Sequence, residues 1–118
     1  MSGGAVTALG RREDAVNHHF WAATKHESAG RRDEAEAGYR AMLRIKEADP
    51  NRRTPDVNYT RERLASLLGR DGRNAEALRL REANVRAARE GGTASDLGLA
   101  LEDLARTRLD AGQYDQAE

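Results

Sequence analysis

The chain has no cysteine, which excludes disulfides, thiolate metal sites and cysteine nucleophiles. Aromatic residues are scarce, with one Phe, one Trp and three Tyr. Together with one Ile and four Val they leave too little β-branched and aromatic material for a sheet. No apolar run approaches the roughly 18 residues that a membrane span needs. Residues 1–10 have neither a cationic start nor an extended apolar stretch, so no signal peptide is read there, and a cytoplasmic protein is expected. An excess of one charge is also lacking, since 20 Lys+Arg stand against 20 Asp+Glu. Eighteen of the bases are Arg, but acids interleave them, as in Arg61-Glu62-Arg63, Arg81-Glu82 and Arg89-Glu90. Such a chain projects no large single-sign field, which argues against nucleic acid as a partner. Its 118 residues suit one domain rather than separate cofactor and substrate lobes.

What the chain does have is helix-forming material: 21 Ala, 12 Leu and many Arg and Glu. An all-α protein is expected. Residues 1–10 are small, contain glycine and are expected to be disordered. A helical pattern then runs over 11–29 and stops at Gly30, and a second covers 31–48 and stops at Asp49-Pro50. Thr54-Pro55-Asp56 reads as a helix start, with a hydroxyl cap, a proline in the first turn and an acid at the positive end of the dipole. That helix is expected over 55–68. A fourth covers 74–90 and ends at Gly91-Gly92. Thr93 or Ser95 can cap a fifth, which runs to about Ala111 before Gly112.

A repeat lies beneath these elements. Ala23 precedes Gly30 by seven residues and Ala35 follows it by five; Ala65, Gly72 and Ala77 keep both spacings, and so do Ala105, Gly112 and Ala117. The glycines are separated by 42 and then 40 residues. Any one triplet is unremarkable in an Ala-rich chain, but three in register, each spanning a helix–turn–helix, are not. The glycine falls where a helix must stop and reverse within one residue, a place that favours positive φ. The flanking alanines let the two helices close up, and Leu64, Leu67, Leu68, Leu97, Leu101 and Leu104 supply a buried seam. A single pair cannot bury its apolar face alone, so stacking on neighbours is expected.

These residues resemble the tetratricopeptide repeat (TPR) family. Leu104-Ala105 followed by Gly112-Gln113-Tyr114-Asp115-Gln116-Ala117-Glu118 is similar to its turn between helices. Gly30-Arg31-Arg32-Asp33-Glu34-Ala35, with Tyr39 and Asp49-Pro50, is similar to its second helix and closing proline. The long period and Thr54-Pro55 look most like the kinesin-light-chain type, common in bacterial proteins. Arg81 stands where Tyr39 does in the first unit. The resemblance covers roughly 16–118 and implies a right-handed superhelical solenoid of antiparallel helix pairs. It would have about five full helices plus a truncated sixth, in units of about 16–53, 54–92 and 93–118. Only six residues follow Gly112, less than two turns of a second helix. A fragment of a longer stack is expected, or else a second chain covering the open C-terminal end, which would allow self-association.

No residue set calls for catalysis. His19 and His26 share a helix face with His18 and Asp14 near them, but a seven-residue separation is about 10 Å along the axis, too far to share a metal. Ser28, Ser66 and Ser95 lack a nucleophile-elbow context, and Gly91-Gly92 lacks the Lys-Ser/Thr of a phosphate loop. No enzyme, cofactor or metal is expected. Phe20-Trp21 either places Phe20 in a groove as a ligand anchor or buries both rings. Gly10 repeats the glycine-to-alanine spacing to Ala15, which is read as coincidence. Gly38, inside a helix, is expected where another helix packs closely.

In the arrangement the resemblance implies, first helices line a concave face. Helical spacing then projects Asn17, Phe20, Thr24 and Glu27 inward, with Tyr59, Glu62, Ser66 and Arg70, and Leu99, Glu102, Arg106 and Asp110. This describes a mixed-charge groove with Phe20, Tyr59 and Leu99 as its apolar contacts. The expected function is a protein-interaction scaffold that binds a peptide or partner domain. The alternative is a regulatory or sensor segment of a larger bacterial signalling ATPase or transcription regulator.

Overall fold

The structure is a computed structural model that describes residues 4–117, and the side chains of residues 10–109. It holds five α-helices and, among the described residues, no strand: α1 (Gly4–Ser28), α2 (Arg32–Glu47), α3 (Thr54–Arg70), α4 (Asn74–Gly91) and α5 (Ala94–Ala117). The chain divides after Pro50 into two compact units, the first containing α1 and α2, the second α3 to α5.

In the first unit α1 reverses at Gly30 into α2. Gly30 has φ +79°, a value that L side chains rarely adopt. Arg31 N donates to His26 O at 2.9 Å and Gly30 N to Glu27 O at 3.1 Å, the paired bonds of a Schellman turn. Ala23 and Ala35, one on each helix, are fully buried beside Tyr39 and Met42. The helices approach so closely that a Cβ on Gly38 would lie 2.9 Å from the Ala23 Cβ. Burial takes the Tyr39 ring out of water, and its hydroxyl donates to Glu27 Oε1 at 2.7 Å.

The second unit repeats this turn. Gly72 has φ +80°, Arg73 N donates to Leu68 O at 2.8 Å and Gly72 N to Gly69 O at 3.1 Å. Ala65 and Ala77 are buried with Leu64, Leu67 and Leu68. The opposite side of α4 packs on α5 through a second cluster, Val85, Ala88, Ala100 and Leu104, with Leu78 and Leu97 against it. α5 begins with a reciprocal cap: Asp96 N donates to Thr93 Oγ1 at 3.1 Å, and Thr93 N to the Asp96 carboxylate at 2.9 Å.

Four sequence expectations are corrected. First, the chain does not turn at Gly112. α5 runs unbroken from Ala94 to Ala117, so the described residues hold five helices and no truncated sixth. Extending α5 through one helix-interior glycine costs only about 1 kcal/mol. Ala105 is therefore exposed rather than packed, and Leu101 is 40% exposed, outside the apolar seam. Ala105, Gly112 and Ala117 form no helix-turn motif; the Ala117 side chain lies outside the described residues. Second, α1 is helical from Gly4, where irregular chain was expected to Gly10. Ala5, Ala8 and Leu9 favour helix and the space around Gly10 is open, so continuation there is inexpensive. Residues 1–3 of that expected disordered segment lie outside the described residues. Third, Thr54 is the first residue of α3 and not its cap. No side chain caps this helix, and Arg53 O instead accepts from Asp56 N at 3.1 Å and Val57 N at 3.3 Å. Fourth, Trp21 is the exposed member of the aromatic pair, at 70%, while Phe20 is half-buried and meets it edge-on at 5.7 Å. Joint burial of both rings therefore does not describe the pair.

Candidate functional site

In the second unit α3 and α5 each pack along α4 but touch one another at few points. Two helices laid side by side on a third leave a furrow between them, here an open cleft of about 250 Å³. Each wall comes from one helical stripe. On α3 it is Pro55, Asn58, Tyr59 and Glu62; on α5 it is Asp96, Leu99, Ala100 and Asp103; Asn84 of α4 forms the floor. Both stripes follow the i, i+3, i+4, i+7 spacing that puts four side chains on one helix face.

The floor is tied down by amide bonds. Asn84 is 4% exposed; its Nδ2 donates to Asn58 O at 3.0 Å, while Asn58 Nδ2 donates to Asn84 O at 3.1 Å. Arg61 donates to both amide oxygens, at 3.2 Å and 3.3 Å. These bonds fix α3 on α4 and satisfy a buried amide that would otherwise cost about 1–3 kcal/mol.

A second network spans all three helices. Arg81 of α4 grips the Glu62 carboxylate with Nε at 2.9 Å and Nη2 at 2.7 Å, and donates from Nη1 to Thr107 Oγ1 at 2.8 Å. Ser66 Oγ donates to Glu62 Oε1 at 3.2 Å and accepts from Arg81. Arg81 and Tyr39 each stand nine residues beyond their turn glycine, and each bonds a carboxylate on the preceding helix. The planar guanidinium does in one unit what the phenol does in the other, with the added reach to α5.

The charged groups lining the cleft are Glu62, Asp96 and Asp103. All three are acidic. Burial, and then the neighbouring Glu62 charge, push the Asp103 carboxyl above its ordinary range against the opposing pull of Arg81 and Arg106. Arg106 reaches Asp103 only at 3.7 Å, from an exposed position. At the rim Tyr59 is 50% exposed and Leu99 64%, so an aromatic and an aliphatic surface flank the acids.

Of the residues singled out by spacing, Tyr59, Glu62 and Leu99 are brought together in this cleft. Ser66 lies behind Glu62 in the Arg81 network, and Arg70 is exposed. Glu102 and Arg106 pair at 3.2 Å on an exposed part of α5 and do not line the cleft. The Asp110 side chain lies outside the described residues. In the first unit Asn17 is exposed, Phe20 half-buried, Thr24 bonded to Trp21 O at 3.0 Å and Glu27 engaged by Tyr39. The cleft also takes Asp96, Ala100 and Asp103, because the stripe of α5 that lines it is rotated around the helix from the one through Leu99, Glu102 and Arg106. The signal available was the match between 55, 58, 59, 62 and 96, 99, 100, 103.

Among the described residues no group of three His, Asp or Glu is placed to hold a metal. His26 Nδ1 accepts from Arg31 Nε at 2.9 Å, and His18 and His19 meet edge-on. No helix is long and apolar enough to cross a membrane, among the residues described. The chain matches no protein-family model, no curated protein and no solved structure.

Proposed function

We propose that this chain is a protein-interaction scaffold that takes a peptide segment in the cleft between α3 and α5, without chemistry of its own. The observation that carries the reading is the rim, where Tyr59 and Leu99 remain exposed above a floor already fully bonded. A volume of about 250 Å³ falls below the roughly 300–1,000 Å³ of small-molecule sites. It suits one or two anchoring side chains of a chain laid along the furrow. The two Schellman turns at equivalent positions support a TPR-like array, and the balanced composition without cysteine supports an intracellular setting for it.

Hydrogen exchange tests this. Peptides of about 12 residues selected against the full chain should protect backbone amides over 55–62 and 96–103, and lose affinity for a Tyr59→Ser, Leu99→Ser variant of unchanged circular dichroism. Selected peptides that protect other segments, or bind the variant equally well, refute the assignment.

A further inference from the structure

The cleft has a chemical bias that narrows its occupant. Its charged lining comes from α3 and α5 and is acidic throughout. Glu62 is already held by Arg81, yet a carboxylate offers about four lone-pair sites, and the bonds from Arg81 and Ser66 leave room for another donor. Asp103 is less well served. It is half-buried and sits in the field of Glu62; Arg81, committed to Glu62 and Thr107, and Arg106, exposed at 3.7 Å, oppose that field without offsetting it. Removing that charge from water next to another acid is unfavourable, and a cation entering the cleft would relieve it. Tyr59 adds an exposed aromatic ring on the same wall as Glu62, a surface that attracts a guanidinium or ammonium by its π-face.

We infer that the segment bound here carries an arginine or lysine whose head lodges between Glu62 and Asp103, while its apolar neighbours lie on Tyr59 and Leu99. This rests on the peptide-scaffold reading and adds the identity of the anchor. Electrostatic complementarity selects the partner, and the apolar rim holds it. Because the chain as a whole has zero net charge, attraction of a basic peptide must come from this local arrangement.

The test uses the full chain and four fluorescein-labelled 12-residue peptide pools. Their central residue is fixed as Arg, Lys, Gln or Glu, and their flanks are randomised over Leu, Ala and Ser. Fluorescence polarisation should show the Arg and Lys pools binding about tenfold or more tighter than the Gln pool, as expected of a charge-assisted contact, with the Glu pool weakest. Asp103→Asn keeps the shape and should abolish that preference. Tyr59→Ala should weaken the Arg, Lys and Gln pools. Lowering the pH through the carboxylate range should weaken the Arg pool as Asp103 takes up a proton in the field of Glu62, Glu102, Arg81 and Arg106. If Gln-centred peptides bind as tightly as Arg-centred ones, and Asp103→Asn changes nothing while Tyr59→Ala still weakens binding, the cation anchor is wrong and the scaffold reading survives. If neither Tyr59→Ala nor Leu99→Ala affects any pool, both fall.

Discussion

Three glycines occupy equivalent places in the sequence repeat, and the structure uses them in two opposite ways. Gly30 and Gly72 have φ of +79° and +80°, while Gly112 lies within the continuous α5. Alanine substitution separates these roles by sign. At Gly72 an alanine Cβ meets nothing within 4 Å, so the whole penalty is conformational. A left-handed L residue costs about 1–2 kcal/mol, and the reduced freedom of the unfolded chain returns about 0.4–1 kcal/mol. A net loss of roughly 1 kcal/mol follows for Gly72→Ala from those two terms. At Gly112 both effects favour alanine, and α5 gains about 0.5–1 kcal/mol of helix stability. Urea titrations followed at 222 nm should show an earlier midpoint for Gly72→Ala. Gly112→Ala should increase native ellipticity and slow amide exchange toward the end of α5. A Gly112→Ala protein destabilised as much as Gly72→Ala would show that the chain turns at Gly112, and would refute the continuous helix.

Two further outcomes test the second unit. Arg81→Ala removes the ties to Glu62, Ser66 and Thr107 together and leaves a partly buried carboxylate unpaired, so a loss of about 1–3 kcal/mol is expected by urea titration; a loss below 0.5 kcal/mol, the scale of ordinary surface substitutions, would show that the network does not hold the helices. Asp103 titrates above its ordinary range, so the folded state binds its proton more tightly than the unfolded state. Its unfavourable contribution is therefore full above the folded-state pKa and disappears as pH falls below the unfolded value. Asp103→Asn should be more stable than the parent at neutral pH, with the difference shrinking on acidification. A difference that grows toward low pH would reverse the assigned sign.

Much of the local structure was legible because it depends on neighbouring residues. Gly30 and Gly72 end helices where a reversal needs positive φ, and Ala23, Ala35, Ala65 and Ala77 are buried where two helices close up. Gly38 was readable for the same reason, since a helix-interior glycine is tolerated where another backbone approaches. Gly112 was misread because its local sequence matches the other two turns. Whether a turn forms depends on whether a following helix packs back on the first, as α2 and α4 do and as the continuous α5 does not. The lining of the candidate cleft was half legible. Tyr59, Glu62 and Leu99 followed from helical spacing, but Asp96, Ala100 and Asp103 depended on how α5 rotates about its axis against α4. Ala100 and Leu104 set that rotation by burying on Val85 and Ala88.

The sequence by itself determined the helices, two of their reversals and the small-residue seams that let them pair, because composition, capping and backbone sterics act within a few residues. Only the tertiary structure decided the sign and depth of the cleft. Arg81 turns Glu62 into a bridge between three helices, and the register of α5 carries Asp103 toward Glu62 while leaving Arg106 at the exposed surface. Charges that alternate along the chain are thereby sorted in space. A zero net charge gives way to a locally acidic furrow because helix packing, and not sequence order, chooses which faces meet.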